Sequence, residues 1–307
     1  MTRTWLLLRI WIGLVTTLAL LILAAKGTAA LLPQAGQIAF SRQTGVGDLI
    51  LLDVRTSIEH NLTPNTPLSL ERAPSWSPDG RRLVYASTRA GIQRLWVLDL
   101  TSASAQPLPL NSARNFVPSS PVWSPDGTQL AFELDRAVWL FDLASGERRL
   151  LLENAVDPRW SPDGQIIAAR GMSNTPQVWF VSVNDGTRHA EMLGWLHHLY
   201  GLAWSPDGRS MLVIGAAHGR SIWSVSVHVV ALECLATCGD AESAIASASG
   251  MDVHAAWSPD GARIAFTCPS SVGMEICLRG LDDAQVRQLT HTRRMVSYRD
   301  LAWRPGS

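Results

Sequence analysis

The chain is poor in lysine: only Lys26, in 307 residues. Every basic side chain beyond position 26 is an arginine or a histidine, so Schiff-base and lysine-nucleophile chemistry is excluded from the folded part. The 26 basic and 26 acidic residues cancel, and no run of like charges occurs. The basic footprint of a nucleic-acid binder is therefore missing, and nucleic acid is not an expected partner. Cysteines number only four, and they do not form the two Cys-x₂-Cys units of a structural zinc site. No G-x-S-x-G nucleophile elbow occurs anywhere, which excludes the hydrolase chemistry built on it. No metal and no cofactor is expected.

What remains is ample apolar material: 47% of the residues are hydrophobic and 17% charged, enough to bury a large core. Part of it is concentrated at the N-terminus, where Arg3 and Arg9 precede a 16-residue apolar run, 10–25, that ends at Lys26. At about 1.5 Å per residue the run reaches roughly 24 Å, and counting from Trp5 with Arg9 snorkelling makes it long enough to span a membrane. Residues 1–30 read as a signal-anchor, with cleavage near Thr28-Ala29-Ala30 as the alternative. Either way the positive end stays in the cytoplasm and the rest lies outside it. In that oxidising setting Cys234, Cys238, Cys268 and Cys277 are disulfide candidates, with three possible connectivities. Residues 31–36 form a linker and 37–307 the folded domain.

The domain is a repeat. WSPDG occurs at 76–80, 123–127, 160–164, 204–208 and 257–261, and WRPGS closes the chain at 303–307. The tryptophans Trp76, Trp123, Trp160, Trp204, Trp257 and Trp303 fall 47, 37, 44, 53 and 46 residues apart, the period of a propeller. Each unit offers four short strand-like pieces separated by turn residues, as in APSW, RRLVYAS, QRLWVLDL and AQPLPL of the first. In the fourth unit the pieces are GLAW, SMLVIGA, SIWSVSV and ECLAT. The ends are complementary: QIAFSR, DLILLDV and HNLT match second, third and fourth strands, while RDLAW before Trp303 matches a first strand. Joined, they make a sixth sheet and close the ring, which removes exposed edges. The expectation is an all-β, six-bladed propeller of four-stranded antiparallel blades, monomeric and preceded by one hydrophobic helix. Trp96, Trp139, Trp179 and Trp223 share a third-strand position, held by Ile50 and Cys277 in the other two units.

Within Ser-Pro-Asp-Gly, proline presets φ, aspartate tolerates the bridge region and glycine supplies the positive φ that closes a type I turn. The serine hydroxyl and the aspartate carboxylate each accept a backbone N–H inside the turn. The five aspartates are thus scaffold, spread around a ring rather than gathered for catalysis.

The pattern P-x-W-S-P-D-G, followed by I-A-F, I-x-V-x-D-L and x-L-T, resembles the repeat of TolB-type β-propellers. The copies at 73–87, 120–132 and 255–266 carry it best. The resemblance implies the six-bladed fold, without the α/β domain that precedes the propeller in TolB itself, and an extracytoplasmic setting.

Ligands of propellers gather where the inner strands converge on the central channel. Three residues before the repeat tryptophan stand Asp157, His254 and Asp300, and four before it Arg72, Tyr200 and Arg299. This ring is the candidate ligand-binding site. His197 and His198, adjacent in GWLHHLYG, point to opposite faces of a strand and cannot both hold one ion. The reading is a non-enzymatic module for a protein or peptide partner at one face, tied to the membrane by its N-terminal segment. A carbohydrate-active lyase or glycosidase, or a small-ligand sensor at the channel mouth, is the alternative.

Overall fold

The computed structural model divides the chain into two compact units, Met1–Gln34 and Ala35–Ser307. It describes residues 36–44, 46–64, 66, 68–110, 117–218, 224–237, 244–249, 253–283, 285–292 and 296–306. The N-terminal apolar segment, Trp223 and Cys238 lie outside the described residues. No helix among the described residues is long and apolar enough to cross a membrane.

The second unit is a ring of six four-stranded antiparallel sheets. Blades 1 to 5 span residues 71–107, 119–153, 155–192, 196–249 and 255–288, with strands paired in chain order. Blade 6 is composite: Ser297–Trp303 pairs with Gln37–Gln43, which continues to Gly47–Asp53 and Glu59–Asn61. Gln37 and Trp303 both lie at the WSPDG end of this blade, where the Arg304 amide donates to the Gln37 carbonyl at 2.8 Å.

The second strands read as unbroken apolar runs because both of their faces are buried. Leu83 and Tyr85 pack toward blade 6, while Val84 and Ala86 pack toward blade 2. The same alternation produces six apolar clusters, each filling the space between two adjacent blades. Six blades with six filled interfaces leave no gap in the ring.

The WSPDG turns behave as their chemistry dictates. In the first, the Ser77 hydroxyl donates to Asp79 at 2.5 Å and accepts the Arg82 amide at 2.9 Å, while the Arg81 amide donates to Asp79 at 3.0 Å. Gly80 has φ +64°, where a β-carbon is strained. The turns also touch one another, since a β-carbon on Gly127 would meet Pro78 of the preceding turn at 3.5 Å. In the worn copy Arg304 replaces the serine, donating to the Gly80 carbonyl at 2.8 Å and to Gln37 Oε1 at 2.6 Å.

Blade 4 departs from the repeat. Its strands Leu196–Trp204, Ser210–Ala217 and Ser224–Ala231 are longer than the six-residue strands of blade 1. The register Val213↔His228 places buried His228, not Trp223, at the third-strand position that Trp96 holds opposite Tyr85. The segment ECLAT forms part of a short 3₁₀ turn, Leu232–Cys234, and the fourth strand is Ala244–Ser249. Cys268 and Cys277 are joined across their hairpin, and Cys234 is also disulfide-bonded.

The turn aspartates give the fold a predicted acid limit. The serine hydroxyl leads the interactions that hold the Asp126, Asp163, Asp207 and Asp260 carboxyls below their usual range. In two other turns Asp99 and Asp185 are lowered to about 2, chiefly by the Thr101 and Ser182 hydroxyls. A carboxylate whose folded value is depressed adds stability above its unfolded value of about 3.9, and that stability is lost as pH falls through the folded value. Circular dichroism during acid titration is expected to show urea midpoints falling between about pH 4 and pH 2. A midpoint flat across that window would contradict it.

Candidate functional site

The inner strands line an axial channel of about 650 Å³. In blades 1 to 4 and in blade 6 each carries a register shift two to four residues before its tryptophan. Extra residues of this kind re-aim a strand. The third residue before the tryptophan takes the left-handed conformation at Ala73, Ser120, Asp157 and Asp300, with φ between +48° and +57°. All six residues of this tier, Ala73, Ser120, Asp157, Gly201, His254 and Asp300, line the channel.

The channel is polar on two sides. Asp157 pairs with Arg159 at 2.7 Å and Arg170 at 3.7 Å. Those guanidiniums bridge to blade 4, Arg159 Nε donating to the Leu202 carbonyl at 3.0 Å and Arg170 Nη1 to that of Leu199 at 2.9 Å. The Asp157 amide donates to Glu133, whose carboxyl is pushed up by burial and by the Asp157 charge. Opposite, Asp300 accepts the Ala73 amide at 3.0 Å and lies 3.9 Å from His254 Nδ1. Blade 4 brings no charge to this tier: Gly201 sits where a β-carbon would meet Ile214 Cδ1 at 3.2 Å.

Tyr200 lines the channel, but Arg72 and Arg299 do not. They precede the shift and stay in register with their second strands, as Arg72↔Ala86 and Arg299↔Ser41. Strand alternation then points such residues at a neighbouring blade rather than into the channel. The two histidines of GWLHHLYG part company, as adjacent strand residues do: His197 meets His218, while His198 lies by Tyr200 with ring centroids 6.0 Å apart. Among the described residues no group of three or more His, Cys, Asp or Glu side chains is arranged to hold a metal ion.

A scan against protein-family models finds no match. No curated protein matches either. Solved structures do: TolB from Acinetobacter baumannii superposes on 88% of this chain and 67% of its own, with TM-score 0.73 and 18% identity. The fold is that of a TolB-type propeller. The same ring superposes on a chain of a nidogen/laminin complex (TM-score 0.63, 10% identity, 87% of this chain and 97% of that one). An oligogalacturonate lyase from Vibrio parahaemolyticus matches at TM-score 0.51 and 12% identity, over 83% and 86% of the two chains. At these identities the likeness is one of fold, and one fold serves many functions.

Three polar residues of the channel, Glu133, Arg159 and Arg170, escape a search confined to the third and fourth positions before the tryptophans. A signal for two of them exists. Glu133 and Arg170 each stand three residues beyond the second-strand residue that faces the tryptophan, Leu130 and Ile167, and interrupt apolar runs at one repeat position.

Proposed function

We infer that this propeller is a monomeric, non-enzymatic interaction module, displayed outside the cytoplasmic membrane, that receives a protein or peptide on the face where the inner strands begin. The observation that carries the reading is the distribution of exposed apolar side chains. Among the loops, Leu68, Ile92, Val117, Met172 and Val272 sit on that face, against Ile58 and Leu281 on the turn face, while exposed Leu150, Met192 and Val286 lie on fourth strands. Leu68 is 91% exposed and takes φ +71°. A bulky residue that bears both backbone strain and full exposure is a candidate anchor for a partner. The nidogen/laminin complex supports the reading in kind, as a propeller solved with a protein partner. The apolar run behind Arg3 and Arg9 and the Cys268–Cys277 bond support the location.

A photo-crosslinking residue at position 68 of the full chain, expressed in cells, is expected to trap a defined partner band. The same residue at position 281 is expected to trap none, and Leu68→Asp to reduce partner recovery about tenfold, the loss of one hot-spot anchor. Equal trapping from both faces, or none from either, overturns the reading.

The carbohydrate-active reading rests on a different observation, the half-buried Glu133 carboxyl beside Asp157. Two carboxyl groups with separated environments are the means of acid–base cleavage of a glycosidic bond. Against it, Asp157 is occupied by two arginines. Turnover of an acidic oligosaccharide, abolished by Glu133→Gln, would establish this reading in place of the first.

A further inference from the structure

Blade 4 holds a pair of imidazoles outside the channel. The first strand, Leu196–Trp204, opens with a register shift between Leu196 and His198, and His197 is the residue it leaves unpaired. The second strand, Ser210–Ala217, runs into His218, whose amide donates to the Trp195 carbonyl at 3.1 Å. Backbone pairing therefore brings the two side chains together. His197 Nε2 and His218 Nδ1 are 3.2 Å apart, and both residues are exposed.

We propose that His197 and His218 form a two-imidazole chelate for a divalent transition-metal ion of the imidazole-preferring class, Zn²⁺ or Cu²⁺. Zinc binds histidine nitrogen at about 2.0–2.1 Å, so two such nitrogens are about 2.9 Å apart at a right angle and about 3.3–3.4 Å apart at the tetrahedral angle. The observed 3.2 Å falls between these limits. Without metal, two neutral imidazoles at this distance share one proton, an N–H of one ring donating to the lone pair of the other. Metal replaces that proton, which passes through solvent to the donor ring's other nitrogen, so both rings stay neutral and both lone pairs meet the ion. The ring centroids, now 3.9 Å apart and tilted by 56°, must open to about 5 Å around a tetrahedral ion. Exposed side chains rotate freely enough to do so. His198 takes no part, because it lies by Tyr200. Water fills the remaining positions, on the face that also carries Leu68, although the chelate does not depend on the interaction reading.

Isothermal titration of the full chain with ZnCl₂ near pH 7.5 is expected to show one ion per chain. His197→Ala and His218→Ala are each expected to weaken it at least about tenfold, the low end of what losing a mere supporting partner costs, and His198→Ala to leave affinity unchanged. Because ligands must give up protons, acid weakens binding. Copper added in place of zinc is expected to give an electron paramagnetic resonance spectrum with two coupled nitrogens. Absence of zinc heat, unchanged affinity in the two alanine variants, loss on His198→Ala or a one-nitrogen copper spectrum each overturns the proposal. Circular dichroism of the variants confirms that the ring is folded.

Discussion

Trp303→Ala is expected to remove about 3–5 kcal/mol of stability, the range for deleting a large aromatic side chain from a core. The indole is 7% exposed and packs with Ile38, Ile276 and Tyr298 between blades 5 and 6. Its Nε1 donates to the Ala256 carbonyl at 3.1 Å, and the Arg263 guanidinium lies over the ring at 5.6 Å. Position adds to the effect, because Trp303 ends the strand that closes the ring. Trp160→Ala is the comparison: that indole is half-buried and its Nε1 has no protein partner. Its loss should cost clearly less. Urea melts followed by circular dichroism decide the matter, and equal costs at both positions would show that closure gives Trp303 no special weight.

Glu71→Ala carries the other large effect. Glu71 is fully buried at the start of the blade 1 inner strand, where its carboxylate accepts from the Ser69 hydroxyl at 2.7 Å and the Ser87 hydroxyl at 3.0 Å. Arg89 Nη2 stands 3.3 Å away without hydrogen-bonding geometry, so that contact is an ion pair alone. The Arg89 guanidinium also lies over Tyr85 and Trp96, at 5.3 Å and 4.8 Å from the ring centroids. Removing one member of a buried pair leaves the other charge uncompensated and costs about 3–5 kcal/mol. Glu71→Gln keeps the two serine contacts and should lose less. Arg89→Met in the Glu71→Ala background should cost less than the sum of the two single changes, since the stranded charge goes with it. Strict additivity in urea melts would refute the pairing.

The ring itself was legible in the chain. WSPDG at a fixed place in each unit sets the blade count, and QIAFSR at one end with RDLAW at the other dictates the closure. Blade 4 was not legible, because its hairpin from Met211 to His228 is four residues longer than its counterpart from Leu83 to Trp96. A count calibrated on the other blades therefore lands on Trp223. The channel was read in part. Asp157, His254, Asp300 and Tyr200 point where their spacing says, but Arg72 and Arg299 precede the register shift that turns the backbone inward, and no residue type announces such a shift. Asp300 and Glu133 show why channel acids need not be catalytic, since each accepts an amide from a left-handed residue of the next blade.

Both ends of the ring domain emerge together. Gln37 and Trp303 lie side by side in blade 6, at the WSPDG end. A tag, a fusion partner or a sensor surface joined to the ring domain beside Gln37 or after Trp303 therefore moors it by its turn face. The opposite face, with Leu68 and the His197–His218 pair, is left facing outward, and an immobilised chain offers it to solution without further engineering.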